Sequence, residues 1–337
     1  MWGALGGAEE AEVLEEEIVA STFHPFDLKK PKEIVRRYEG NPILTGADFP
    51  GDITWVFNSG VIKDEGRYIM VCRVEDSALY AYMWVADSED GLHFTPRPMP
   101  VSVPVDDPQF KTYSYRTYYD PRITRLEGVF YIVHAAHSKH RCRLGLFRTQ
   151  DFNRFEWMGC ISEPDNRNGV LFPEKIKGQY VRLDRPNLGP GGDGDIWISY
   201  SPDLIHWGRS QCLVQREDFR WAWKKIGPGA VPIRTEEGWL TIFHGVRTQC
   251  AQHYVYELGV FLLDLDDPSK VVAKAERAIL IPQMDYELSG QSPSVVFSNA
   301  AILENDGSVK IYYGAADSVQ CVGLSTLDEL LTACHNK

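Results

Sequence analysis

Ser201-Pro202-Asp203-Leu204-Ile205-His206-Trp207 ends a block of the chain with a serine, an aspartate two residues later, a short turn and an aromatic ring. Two earlier blocks end the same way, in Ser88-Glu89-Asp90-Gly91-Leu92-His93-Phe94 and in Thr149-Gln150-Asp151 followed by Phe155-Glu156-Trp157. Ser, Thr and Asp at the head of a turn accept hydrogen bonds from the backbone ahead of them, so the recurrence marks a repeated turn.

Outward from these endings, each block holds short apolar strands separated by Gly or Asp turns. The first block carries Phe57-Asn58-Ser59-Gly60-Val61-Ile62, Arg67 to Arg73 and Tyr80 to Ala86; the second carries Tyr119 to Ile123, Val129 to His134 and Leu144 to Phe147. The third has Asn168 to Phe172, Gln179 to Arg185 and Ile196 to Tyr200; the fourth has Gly229 to Ile233, Gly238 to His244 and Glu257 to Leu263, closing on Asp264 to Pro268. A fifth has Ser298 to Leu303, Ser308 to Gly314 and Cys321 to Ser325, and its ending decays to Thr326-Leu327-Asp328. Five such units predict an all-β fold, a five-bladed β-propeller, over residues 36–337. A sandwich or barrel also yields many short strands, but neither predicts one shared ending per block. The stretches 96–108, 189–194 and 285–294 then read as surface loops.

Residues 1–35 form an acidic extension, with Glu9 to Val19 predicted as a short helix and a candidate subunit contact in a homo-oligomer. No basic leader and no long apolar run opens the chain, and no window of 18 apolar residues occurs, so neither a signal peptide nor a membrane-spanning helix is expected. The formal charge of -12 argues against nucleic acid as partner. Seven scattered cysteines without metal-ligand spacing predict reduced thiols in a cytoplasmic protein.

In a propeller the innermost strands line a central channel and start at one mouth. That register gathers Asn58, Ser59, Asp120, Arg167, Asn168, Gly227, Gly229 and Asn299 there, and the ends of the second strands return Arg73, His134, Arg185, His244 and Asp317 to it. Alone, Thr117-Tyr118-Tyr119-Asp120-Pro121-Arg122-Ile123-Thr124 describes an ordinary strand-start aspartate, which Pro121 biases toward an extended conformation. Within a ring of cations, Asp120 becomes a candidate general acid. Inverting hydrolysis of a glycoside needs a second carboxylate as base, for which Asp317 is available. Phosphorolysis needs no base, because phosphate is already a nucleophile and has only to be held by groups such as Arg73, Arg167, Arg185 and His244.

The chain resembles glycoside hydrolase family 130, the mannoside phosphorylases, over nearly all of residues 36–331. The resemblance rests on Phe57-Asn58-Ser59-Gly60, Tyr119-Asp120-Pro121-Arg122, Asn166 to Pro173, Asp184-Arg185-Pro186, Lys225 to Gly229, Phe243 to Val246, Leu265 to Pro268 and Tyr312 to Asp317, in order along the chain. It implies inverting phosphorolysis of a β-mannoside oligosaccharide to α-mannose 1-phosphate, with Asp120 as sole general acid, passing its proton through a mannosyl hydroxyl. By the same likeness Arg167, Asn168, Arg185 and His244 hold phosphate, while Asn58, Ser59, Arg73, Tyr119 and Asp317 hold the mannosyl unit. It implies no metal and no organic cofactor, inorganic phosphate being the co-substrate. Trp55, Tyr115, Trp221 and Trp223 are candidates for stacking on the acceptor sugar, or for packing. A phosphate-indifferent hydrolase and a non-catalytic carbohydrate-binding propeller are the competing readings.

Overall fold

The computed structural model describes residues 33–114, 117–189, 193–249 and 253–336. Residues 1–32, with the acidic run and its expected helix, lie outside the described residues, as does Tyr115. Ile34 onward forms five antiparallel sheets arranged as the blades of a propeller. The innermost strands are Ile53–Asp64, Tyr118–Leu126, Asn166–Leu171, Lys225–Pro228 and Val296–Leu303. Each pairs with the second strand of its own blade, and the core fills the space between neighbouring blades. Leu240, Ile242, Val260 and Leu262 of the fourth blade pack with Val296, Ile311 and Tyr313 of the fifth. Full burial of each such side chain contributes about 1.5–3 kcal/mol.

The repeated endings form the same hydrogen-bonded turn. Asp90 Oδ1 accepts the amides of Leu92 and His93 at 2.8 and 2.9 Å, while Ser88 Oγ accepts that of Gly91 at 2.9 Å. In the third blade Asp203 Oδ1 accepts Ile205 and His206 at 2.9 and 2.8 Å, and Ser201 Oγ accepts Leu204 at 2.9 Å. Asp151 and Asp264 hold the corresponding turns of the second and fourth blades. The decayed fifth ending starts a helix instead, as Thr326 Oγ1 accepts the Glu329 amide at 3.2 Å and caps Leu327–His335.

Closure of the ring is a feature the repeats do not disclose. The fifth blade takes its outer strand from the other end of the chain, Arg36–Arg37 pairing with Val319–Thr326 as Arg36 opposite Leu324 and Arg37 opposite Gly323. Two side chains fasten it. Arg36 forks onto Glu329 with both contacts at 3.0 Å, and Arg37 onto the fully buried Glu287 at 2.8 and 2.9 Å. A two-residue strand has no periodicity to detect. Of the stretch 96–108, expected as a loop, the first residue ends the short strand Thr95–Pro96 and the last opens a helix, Pro108–Tyr113, with Asp107 as its N-cap and Pro108 in its first turn. The stretch 285–294 likewise contains a single helical turn, Asp285–Leu288.

Candidate active site

Four of the five innermost strands break register at the same place. One extra residue is inserted between Phe57 and Gly60, between Tyr119 and Arg122, between Arg167 and Val170, and between Ser298 and Ala300. These are β-bulges, which re-aim a side chain out of the sheet plane. Asn58, Asp120 and Asn168 sit at three of them with φ of 49°, 55° and 57°. The left-handed region is open to Asn and Asp at lower cost than to other side chains. The extended conformation expected for Asp120 ahead of Pro121 is therefore corrected: the bulge overrides the local proline preference.

The Asp120 bulge is held from behind. Arg122, fully buried, donates Nη1 to the Asp120 carbonyl at 3.2 Å, Nε to the Gly229 carbonyl at 2.7 Å and Nη2 to the Pro228 carbonyl at 3.2 Å. Asn299 Nδ2 donates to the Pro121 carbonyl at 3.2 Å. The second and fifth blades, and the loop side of the fourth, thus converge on the backbone that carries the acid.

In front lies a cavity of about 510 Å³, lined by Asn58, Arg73, Tyr119, Asp120, Arg167, Asn168, Arg185 and Asp317 among others. It divides by charge. On one side, Arg73 Nη1 meets Asp120 Oδ1 at 2.7 Å, and Asn58 Nδ2 donates to the same oxygen at 3.1 Å. The Arg73 guanidinium lies over the rings of Phe57 and Tyr119, at 4.1 and 4.7 Å from their centroids. Asp317 is close by, at φ 49°; burial pushes its carboxyl above the ordinary value, against the pull of Arg73.

On the other side, Arg167 and Arg185 stand directly opposite each other in the ladder. Among the described residues no carboxylate pairs with Arg185, and Arg167 has only Asp165 at 3.9 Å. Arg167 Nε, Arg185 Nε and Asn168 Oδ1 are buried without hydrogen-bond partners. Lys225 completes this group. Burial and then the neighbouring Arg185 and Arg167 bring its ammonium down to about 7. Clustered cations with unused donors describe a site shaped for an anion.

Some expected residues are placed elsewhere. His244 does not reach the cavity: it is fully buried behind Arg185, accepting Nη1 of that arginine on Nε2 at 3.2 Å. Burial, then Arg185, Arg122 and Lys225, hold its pKa well below the ordinary imidazole value, so it is neutral rather than a cation. Gly227 faces it because a Cβ there would come within 2.7 Å of the imidazole and 3.0 Å of Asn168 Oδ1. Ser59 is also walled off, its amide donating to Gln320 Oε1 at 3.1 Å. His134 faces the blade interior, stacked 4.5 Å from Phe147, and burial lowers it to about 3. Trp221 packs on Phe219 and Phe243, Trp55 is not in the cavity wall, and Trp223 is half exposed outside it. The aromatic wall is instead Tyr119, Tyr254, Tyr256 and Phe297. Sequence reasoning missed Lys225, Tyr254, Tyr256 and Gln291; Lys225 opens the Lys225 to Gly229 segment, and its place two residues before Gly227 is the available signal.

A family model described as beta-1,4-mannooligosaccharide phosphorylase, of glycoside hydrolase family 130, matches residues 29–336. The chain belongs to glycoside hydrolase family 130. It is 34% identical over 306 residues to a Beta-1,4-mannooligosaccharide phosphorylase of Ruminococcus albus, covering 89% of this chain and 90% of that protein. It is 37% identical over 238 residues to a Beta-1,2-mannobiose phosphorylase of Listeria innocua, covering 71% of this chain and 64% of that one. Among solved structures, the Listeria innocua Beta-1,2-mannobiose phosphorylase in complex with β-1,2-mannobiose superposes with a TM-score of 0.79 at 29% identity, covering 89% of this chain and 99% of that one. Family 130 membership thus covers the whole propeller, bulges and cavity included.

Proposed function

We propose that this family 130 member is an inverting β-mannoside phosphorylase, cleaving a β-mannosidic bond with inorganic phosphate to give α-mannose 1-phosphate and a shortened sugar. The observation that carries the reading is the pair Arg167 and Arg185, facing each other with unused buried donors in the same cavity as Asp120. The phosphorylases of Ruminococcus albus and Listeria innocua support the same reaction class.

In this reading the mannosyl unit lies against Asn58, Arg73, Tyr119 and Asp317, with phosphate held by Arg167, Asn168, Arg185 and Lys225. A phosphate oxygen attacks the anomeric carbon from the face opposite the leaving group, forming the new C–O bond as the glycosidic C–O bond breaks. Asp120 supplies the proton that the departing oxygen takes up, directly or through a mannosyl hydroxyl. Held in place, phosphate is already a nucleophile, so no second carboxylate has to activate it. His244 acts through Arg185, accepting one of its N–H groups and so aiming the rest. Ser59 supports the Asn58 bulge. The six described cysteines are free thiols, and among the described residues no helix is long and apolar enough to cross a membrane. A cytoplasmic setting, where inorganic phosphate is at hand, suits both.

The test is turnover of β-1,2- and β-1,4-mannobiose with and without inorganic phosphate, sugar phosphate being the product measured. Phosphate-dependent release is expected; equal turnover in phosphate-free buffer would overturn the reading. Running the reaction backward, from α-mannose 1-phosphate and a panel of acceptor sugars, then fixes the linkage.

A further inference from the structure

Glu75 stands two residues beyond Arg73 on the same strand, and so on the same face. It is 5% exposed and does not line the cavity. Its Oε1 accepts both Nε and Nη2 of Arg73, at 3.0 and 2.5 Å. The guanidinium also lies over the rings of Phe57 and Tyr119. Glu75 fixes two of its nitrogens, and the remaining Nη1 points at Asp120 Oδ1. The other oxygen of Glu75 is engaged too: Oε2 accepts Nε2 of Gln291 at 3.1 Å, and the Gln291 amide donates to Ser318 Oγ at 2.9 Å, beside Asp317. Gln291 itself lines the cavity.

We infer that Glu75 is a positioning residue for the transfer of the proton from Asp120, acting through Arg73, and that Gln291 ties the segment 289–293 to the same relay. The inference rests on the phosphorylase reading above. Its chemistry is a sharing of charge. One guanidinium serves two carboxylates, so each holds it less completely than it would alone. With Glu75 in place, Arg73 is aimed at Asp120 by one nitrogen while its other two are bound by the second carboxylate. The other titratable or charged groups facing Asp120 are Tyr119 and Arg122 on its own strand, Cys142 of the same blade, Arg167 from the third blade and Asp317 from the fifth. Arg122 is held by backbone carbonyls and Arg167 lies near Asp165, so a change at Glu75 leaves those two in place; Asp317 bonds to Ser292 and feels the Glu75 charge directly, so Glu75→Gln also eases its ionisation.

The experiment compares Glu75→Gln and Glu75→Asp with the wild type, measuring kcat, both KM values and the pH profile. Glu75→Gln keeps an acceptor for Arg73 but discards the charge. Expected is a loss of kcat on the order of 10- to 100-fold, the cost of a misaligned group, with the alkaline limb of the profile moved to lower pH and the phosphate KM unchanged. Glu75→Asp keeps the charge but withdraws it, so kcat falls while the alkaline limb stays in place. Wild-type kinetics in Glu75→Gln would overturn the inference. A phosphate KM that rises in step with the loss of kcat would also overturn it, since Glu75 would then be supporting the fold alone. Should Glu75→Gln not fold, Glu75→Asp decides: reduced kcat supports the inference and unaltered kcat overturns it. Absence of phosphate-dependent turnover in the wild type would instead defeat the phosphorylase reading.

Discussion

Arg167 and Arg185 occupy directly paired positions on adjacent strands of the third blade, two like charges at the wall of one cavity. Such an arrangement raises the energy of the empty site and lowers it again when an anion enters. Replacing Arg185 with Lys keeps the charge but loses the fork. The phosphate KM is expected to rise about 10- to 100-fold, the worth of one or two charge-assisted hydrogen bonds, with the mannoside KM changed little. Steady-state kinetics with each substrate varied in turn check this.

Lys225 gives the anion site a pH signature. Its ammonium sits at about 7 in the unliganded cavity, so at pH 8 it is mostly neutral, and an entering phosphate dianion restores the charged form. Binding at pH 8 is therefore expected to take up a proton, while binding at pH 6 draws little through this residue. Calorimetry in two buffers of different ionisation enthalpy reads the uptake, and Lys225→Met should abolish it. Because the folded pKa lies below that of an unfolded lysine, this group also makes the phosphate-free protein more stable as pH rises from about 7 towards 10.

Asp120→Asn tests the acid with little disturbance of the backbone, since Asn also accepts the φ of 55° found there. Turnover is expected to fall on the order of 10²–10⁴-fold, with thermal stability and phosphate affinity close to wild type. A loss smaller than that range would point to another acid.

Gly314 supports the neighbouring bulge from the fifth blade. A Cβ there would lie 2.2 Å from Asn58 Oδ1 and 2.6 Å from the Asn58 amide nitrogen. Gly314→Ala should displace Asn58 from Asp120, lowering kcat on the order of 10²-fold and costing about 1–3 kcal/mol of stability. Kinetics and denaturant unfolding measure the two effects.

Arg37 and Glu287 fasten the ring. Arg37→Met leaves a fully buried carboxylate without its cation and is expected to destabilise the protein by about 3–5 kcal/mol. Denaturant unfolding checks the loss, while kinetics of the surviving folded fraction should be near wild type.

The blades are legible in the sequence because each ends in a chemical device that works locally: Asp90, Asp151 and Asp203 bind the amides just ahead of them whatever surrounds them. The polar residues at the innermost strands are legible for a related reason, since Asn58, Asp120 and Asn168 recur at one register position. That each occupies a bulge with positive φ is not, because the bulge is defined by the partner strand. The misplaced histidines show the same limit. His134 and His244 hold the same mid-strand place in equivalent strands, Val129–Ser138 and Trp239–Thr248, and strand position alone does not say whether a ring faces the channel or the packed interior. Lys225 escapes a reading by residue type because burial, rather than sequence, makes a lysine unusual.

The outer strand of the fifth blade has a bearing on how the molecule is made. Arg36 and Arg37 are made before any other strand of the ring, yet the strand they join, Val319–Thr326, is made after all the others. Four blades can assemble in order of synthesis while the two ends wait for each other. The ring is therefore an open arc until Val319–Thr326 has been made, and the wall formed by Asp317 and Phe297 comes last. The site acquires its final side only when the first and last strands meet.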